Sequence, residues 1–197
     1  MQLSTSELEL GLGMIKGLDR PADKELRILM FTATYFVLDG VTLTIRRLES
    51  HLRSGGATVK VVSTVPEDVE PEHLVNVIRV PGIKIPWDGG YSFGVGLDDE
   101  TIREIERYQP NCVHFTVPDF VALDGIRWCQ KNNVAYMATW HSNYVDYMKY
   151  YLLDWILGPP MQRYMKGFYE QVPAVYVPTP YVSRIDHVEE INLADVV

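Results

Sequence analysis

Nowhere in this sequence do apolar residues run unbroken for the ~20 positions that a helix needs to cross a bilayer, and no membrane span is expected. Positive charge is also scarce. Eighteen Lys and Arg stand against 26 Asp and Glu, a net charge of −8, with a pI near 5.1. That balance excludes a nucleic-acid surface, which needs clustered cations to neutralise phosphates. It gives no overall attraction to anionic lipid and leaves peripheral membrane contact to a local patch. Cysteine is limited to Cys112 and Cys129, in segments that read as a strand and a helix and without zinc-type spacing. Reduced core thiols are expected. Residues 1–25 have neither the basic flank nor the apolar stretch of a secretory signal, and they are too acidic for an organelle transit peptide. They read as a mobile leader, on a chain working inside the cell, in the cytoplasm or at a membrane surface.

Several motifs are missing as well. The stretch TATYFVLDGVTLT, residues 32–44, follows the first apolar run but holds neither G-x-G-x-x-G nor G-x-x-x-x-G-K-[ST]. This disfavours a nicotinamide dehydrogenase and a P-loop nucleotidase. No G-x-S-x-G elbow supports a serine hydrolase. His51, His73 and His187 lie in surface-like contexts at no metal-ligand spacing, so no metal site is expected.

What is present alternates. LRILMFT (26–32) is a short apolar run suited to a strand buried on both faces. Asp39-Gly40 is a turn signal, and residues 41–53 place Val41, Ile45, Leu48 and Leu52 on one helical stripe. Ser54-Gly55-Gly56 ends that helix, glycine accepting the left-handed cap conformation. TVKVVS (58–63) is the next strand and completes a βαβ unit, hence a parallel sheet. A strand over 74–80, a long Gly/Pro-rich loop, a helix over 98–108, a strand over 111–116, a helix over 119–132 and a strand over 134–139 follow. An aromatic helix over 144–157, broken by Gly158-Pro159-Pro160, a second helical stretch over 161–170 and a strand over 174–177 complete the pattern. The fold class is α/β, a doubly wound, mostly parallel sheet with helices on both faces. Ligands bind such sheets beyond the carboxyl ends of the strands, which directs attention to the loops after residues 32, 116, 139 and 177.

Each candidate there has a plain alternative. Gly40 precedes a helix N-terminus, where free N–H groups can hold a phosphate oxygen and the absent side chain allows close approach; it also fits a simple turn. Gly94-Val95-Gly96 has no strand before it and reads as a flexible loop. His114, inside NCVHFT, reads as a satisfied core histidine, and Asp119 as a helix N-cap. His141 emerges just after VAYMAT, at the ligand edge, where it can donate a hydrogen bond or move a proton near neutral pH. Ser142 and Asn143 can cap the next helix. Eight of the 12 tyrosines lie between residues 144 and 181. Tyr147, Tyr150, Tyr151, Trp155, Tyr164, Phe168 and Tyr169 read chiefly as core, or else as a rim for a sugar or lipid acceptor.

Taken in order, RILMFTATYFVLDGVTLTIRRLESHLRSGGATVKVVS and NCVHFTVPDFVALDGIRWCQKNNVAYMATWHSNYVDYMKYY resemble the N-terminal, acceptor-side domain of family 4 glycosyltransferases of the GT-B fold. The likeness is nearest to the branch of sulfoquinovosyl and mannosyl transferases with lipid acceptors. It covers residues 26–183, leaving 184–197 as a tail. It implies transfer of a hexosyl group from a UDP- or GDP-linked sugar, the nucleotide sugar being substrate and no cofactor being needed, to a lipid or glycan acceptor. By the same resemblance Gly40, flanked by Asp39 and Val41, faces the donor diphosphate. His141 reaches the donor sugar as the catalytic histidine, and Ser142, Asn143 and Tyr147 shape the acceptor side. The family's first-loop proline is replaced, the stretch reading Tyr35-Phe36-Val37-Leu38, and Ser142 stands where Thr is usual. Glu189 and Glu190 are adjacent and do not reproduce the spaced glutamate pair of the family's donor domain. That domain is therefore expected to be absent, the chain alone inactive, and a separate donor-domain polypeptide a partner. The rival expectation is a non-catalytic α/β domain that binds a sugar or a partner chain.

Overall fold

The computed structural model describes residues 25–32, 35–37, 39–84, 92–140 and 154–176. The expected leader (apart from Glu25), the 184–197 tail, most of the helix read at 144–157, and His141, Ser142, Asn143 and Tyr147 lie outside the described residues.

The first apolar run forms β1 (Arg27–Phe31), and the striped segment forms α1 (Gly40–Ser54), capped by Asp39. Next come β2 (Thr58–Ser63), a 3-10 turn (Pro71–Leu74) and β3 (Val77–Arg79). A two-stranded antiparallel ribbon follows, β4 (Gly82–Lys84) with β5 (Ser92–Gly94). Then α2 (Asp99–Tyr108), β6 (Cys112–Phe115), α3 (Phe120–Asn132), β7 (Ala135–Thr139), α4 (Asp154–Tyr169) and β8 (Val175–Tyr176) complete the described fold. Six strands pair in parallel in the order β3-β2-β1-β6-β7-β8. The chain runs outward from β1 through β2 to β3, crosses back to β6, and runs outward again. The reversal falls between β1 and β6, and the fold is a Rossmann-like α/β sheet.

Side chains alternate across β1 and divide the core. Ile28 and Met30 pack with Ile45 and Leu52 of α1 on one face. Leu29 and Phe31 join Ile105 of α2, Ile126 of α3 and Phe168 of α4 on the other. Near-continuous apolar strands are what burial on both faces demands. The cysteines follow this division. Cys112 belongs to the α1-side cluster and Cys129 to the other, so the sheet stands between two free, buried thiols. Burial raises the pKa of both, Cys112 to about 12.

The structure departs from the sequence expectations at four places. The strand expected over 74–80 is only Val77–Arg79, because Pro71 starts a 3-10 turn that takes its first residue. The Gly/Pro-rich loop contains the ribbon, and Gly94 is a buried member of it rather than part of a flexible loop. A Cβ on Gly94 would meet Val121 at 2.2 Å, and one on Gly96 would meet the Asp124 carboxylate at 2.7 Å, so both glycines let the ribbon sit against α3. The expected break at Gly158-Pro159-Pro160 does not occur, and α4 runs through both prolines. Each forfeits a hydrogen bond and crowds a carbonyl, at about 3 kcal/mol. The turns beyond are anchored by buried Met165, Phe168 and Tyr169, and that anchorage outweighs local propensity. At the end of α1 the left-handed glycine is Gly56, at φ 84°, while the C-cap Gly55 has φ −80°.

Candidate functional site

At the carboxyl ends of β1, β2 and β3 lies a slight depression too tight to hold a water molecule. Phe31 at the end of β1 and Thr32 after it, Val62 and Ser63 of β2 with Thr64 after it, Val80 after β3, and Asp119 and Val121 at the start of α3 line it. Its floor is tied down by backbone bonds. Thr32 N–H donates to the Val62 carbonyl (3.0 Å) and Val80 N–H to the Ser63 carbonyl (3.0 Å). Thr116 donates to the Phe31 carbonyl twice, through its N–H (3.0 Å) and its hydroxyl (2.8 Å), joining β6 to β1 where the sheet reverses.

Two strand-to-helix corners flank the depression, and both use aspartate. Asp39 accepts from Thr42 N–H at 2.7 Å at the start of α1; Asp119 accepts from Ala122 N–H at 2.7 Å at the start of α3. An N-cap carboxylate satisfies a donor that the helix leaves orphaned and complements its dipole. Burial pushes the Asp119 carboxyl up to about 6 despite these backbone bonds. Burial and the Asp119 charge also push the neighbouring Tyr164 phenol up to about 12. Tyr164 donates to the Pro118 carbonyl at 3.0 Å.

Gly40 follows Asp39 directly. A Cβ built there meets nothing within 4 Å, and its φ lies outside the left-handed region. The fold itself therefore makes no demand for glycine at this position. Asp39 holds the Thr42 N–H through its carboxylate and the Leu43 N–H through its carbonyl; the Gly40 and Val41 N–H groups have no partner among the described residues. The corner can thus take an anion against bare backbone at the positive end of a 15-residue helix. Of the expected site residues, the structure places Asp39, Gly40 and Val41 together here.

His141 and the residues after it, to 153, lie outside the described residues; the end of β7 and Trp140, which precede them in sequence, are defined. His114 is buried, its Nε2 2.7 Å from the hydroxyl of Thr139, the last residue of β7. The next residue, Trp140, is buried, packs its ring 4.8 Å from that of Tyr169, and donates its backbone N–H to the Tyr176 carbonyl at 2.7 Å. His114 is the core histidine that its apolar context suggested, and Asp119 is the N-cap. Among the aromatics of the expected rim, Phe168 and Tyr169 are core and Tyr164 is half-buried.

One group of residues at this edge was not foreseen. Tyr35 donates its hydroxyl to Glu49 Oε2 at 2.7 Å, and Arg46 donates to the Tyr35 carbonyl at 3.0 Å. Glu49 sits between Leu48 and Leu52 on the buried side of α1. A carboxylate on an otherwise apolar stripe was the available signal.

The family model for Glycosyltransferase Family 4 matches residues 38–186. An alpha-monoglucosyldiacylglycerol synthase of Streptococcus pneumoniae is 27% identical over 162 residues, covering 81% of this chain and 37% of that protein. A sulfoquinovosyl transferase of Arabidopsis thaliana is 19% identical over 179 residues, covering 91% of this chain and 34% of that protein. Among solved structures, sucrose-phosphate synthase from Thermosynechococcus elongatus superposes with a TM-score of 0.57 at 16% identity, over 86% of this chain and 45% of that chain. The chain thus spans about a third of the length of these two curated relatives.

Proposed function

The chain belongs to glycosyltransferase family 4, and from that premise we propose that it forms the acceptor-side half of an enzyme moving a hexosyl group from a UDP- or GDP-linked sugar to a glycolipid-type acceptor. The observation that carries this reading is a match over most of the chain to relatives named as an alpha-monoglucosyldiacylglycerol synthase and a sulfoquinovosyl transferase. The local geometry supports it. Gly40 and Val41 offer N–H groups without a partner among the described residues, and Gly40 opens space at a helix N-terminus, which suits the leaving diphosphate. In this reading His141 contacts the donor sugar, Ser142, Asn143 and Tyr147 shape the acceptor side, and a second domain, in the same or a separate polypeptide, holds the nucleotide. Catalysis is then largely positioning and stabilisation of developing charge in a cleft closed by two halves.

The test is incorporation of labelled hexose from UDP-glucose or GDP-mannose into micelles containing diacylglycerol or monoglucosyldiacylglycerol. Transfer is expected when a donor-binding half is supplied, negligible turnover by the 197-residue chain alone, and a loss of about a hundredfold or more in the assembled protein with His141→Ala. Failure of the assembled protein to label any lipid would overturn the reading. Turnover by the chain alone would overturn the division between two halves.

A further inference from the structure

Resting on the reading that the Gly40 corner receives the donor diphosphate, we propose that Tyr35 is a latch, a positioning residue that holds the β1–α1 loop so that the Gly40 and Val41 N–H groups face that anion. Glu49 is its keeper.

Among the loop's described residues, Tyr35, Phe36 and Val37, the Val37 carbonyl accepts from Asp39 N–H at 3.1 Å, and Tyr35 is fastened at three points. Its hydroxyl donates to Glu49 Oε2 (2.7 Å), its carbonyl accepts from Arg46 Nη2 (3.0 Å), and the Arg46 guanidinium lies 5.4 Å from its ring centroid. The Phe36 ring meets it edge-on at 5.3 Å.

Glu49 carries the connection inward. It occupies a buried position that an aliphatic side chain would fill without desolvating a charge. It is held there by Arg53, whose Nε and Nη2 reach Glu49 Oε1 at 3.1 and 2.8 Å. Arg53 Nη2 also donates to the Val59 carbonyl of β2. The loop is thereby joined through α1 to the second strand of the sheet. A phenol donating to a carboxylate makes a charge-assisted bond, stronger than a neutral one. Burial and the Glu49 contact raise the Tyr35 phenol to about 12, which keeps its proton in place. A buried ion pair is a poor source of stability by itself. This one ends at the loop that delivers Asp39 and Gly40, and positioning accounts for it.

The experiment uses the isotopically labelled chain, with inorganic pyrophosphate as probe. Heteronuclear NOE values at Val37, Asp39 and Gly40 report loop order, and the Gly40 and Val41 amide shifts report affinity. Tyr35→Phe is expected to lower the NOE values across the loop and weaken pyrophosphate binding about fivefold or more. Glu49→Leu, which fills the stripe and preserves the fold, should do the same, while Glu49→Gln keeps an oxygen for the phenol and stays within about twofold of wild type. A thermal melt separates these effects from general destabilisation. If Tyr35→Phe and Glu49→Leu leave loop order unchanged, the latch is overturned. If they loosen the loop with pyrophosphate affinity unmoved, its positioning role is overturned. If the wild-type chain shows no response at Gly40 to pyrophosphate although Tyr35→Phe loosens the loop, the diphosphate reading fails instead.

Discussion

The corners that lead into α1 and α3 begin alike and end differently. In each, a strand runs out at the reversal of the sheet and an aspartate caps the third N–H of the next helix at 2.7 Å. Behind Asp119 the helix is pressed onto the sheet. A Cβ on Gly125 would meet the Phe115 ring at 2.7 Å and the Phe31 ring at 2.9 Å. Behind Asp39 the first helical residue is a glycine facing open space, and the helix is tied to its loop by polar contacts at Tyr35, Arg46 and Glu49. One corner spends its glycine on close packing within the fold; the other leaves its glycine unpacked. The same cap therefore sits on a closely packed joint in one place and on an open one in the other, the open one being the corner proposed above to receive the diphosphate.

The strongest way to break this contrast is to put a methyl group at each glycine. Gly125→Ala should destabilise the protein by about 2–3 kcal/mol through overpacking, read as a lowered midpoint in urea. A midpoint within error of wild type would mean that α3 is no more closely seated than α1. Titration sharpens the contrast next. The Asp119 carboxyl is raised by burial to about 6 when folded, against 3.8 for an ordinary aspartate. The folded state then holds a proton that the unfolded state has released between about pH 4 and 6. Stability from this group is full below that window and is lost as pH rises through it. Relative to Asp119→Asn, which keeps a cap oxygen, wild type should lose on the order of 2 kcal/mol across the window. Parallel stability curves would remove the burial difference between the corners. Replacing either cap, Asp39→Ala or Asp119→Ala at pH 5, should cost about 1 kcal/mol. A cost confined to one corner would show that the caps are unequal. The smallest stability effect belongs to Gly40→Ala, ~0.5 kcal/mol and favourable, because the site is open and its φ is ordinary. The same variant should nevertheless weaken pyrophosphate binding at the Gly40 amide; unaltered binding would make this corner as inward-looking as the other.

Much of this contrast can be read from the chain before folding. Asp39 and Asp119 each precede a helical pattern, and the buried strands are visible as short apolar runs, because both signals are local. Gly40, too, stands out as a glycine opening a helix. Gly94, Gly96 and Gly125 do not. Their meaning depends on Val121, Asp124, Phe31 and Phe115, which are distant in sequence or on another element. The ribbon is illegible for a related reason. Each strand has three residues, and those of β4 are exposed, so no alternation marks it. At Pro159 and Pro160 the local signal is clear and is overruled by buried side chains one to two turns later. The Tyr35–Glu49 bond lies between these cases. A carboxylate on an apolar stripe is conspicuous, but only the loop's path reveals its partner.

The placement of β1 has a consequence for how the chain is made. This strand leaves the ribosome before the other five of its sheet, yet it lies in the interior, paired with β2 on one side and β6 on the other. While β1, α1, β2 and β3 alone have emerged, one face is already covered by α1. Leu29, Phe31, Val62 and Ile78 on the other face wait for α2 and α3, and an open strand edge waits for β6. A nascent chain paused before Asp99 thus presents an apolar surface and an unpaired edge together, the combination that recruits chaperones or seeds aggregation. Synthesis through α3 supplies the helices for that face and the strand for that edge.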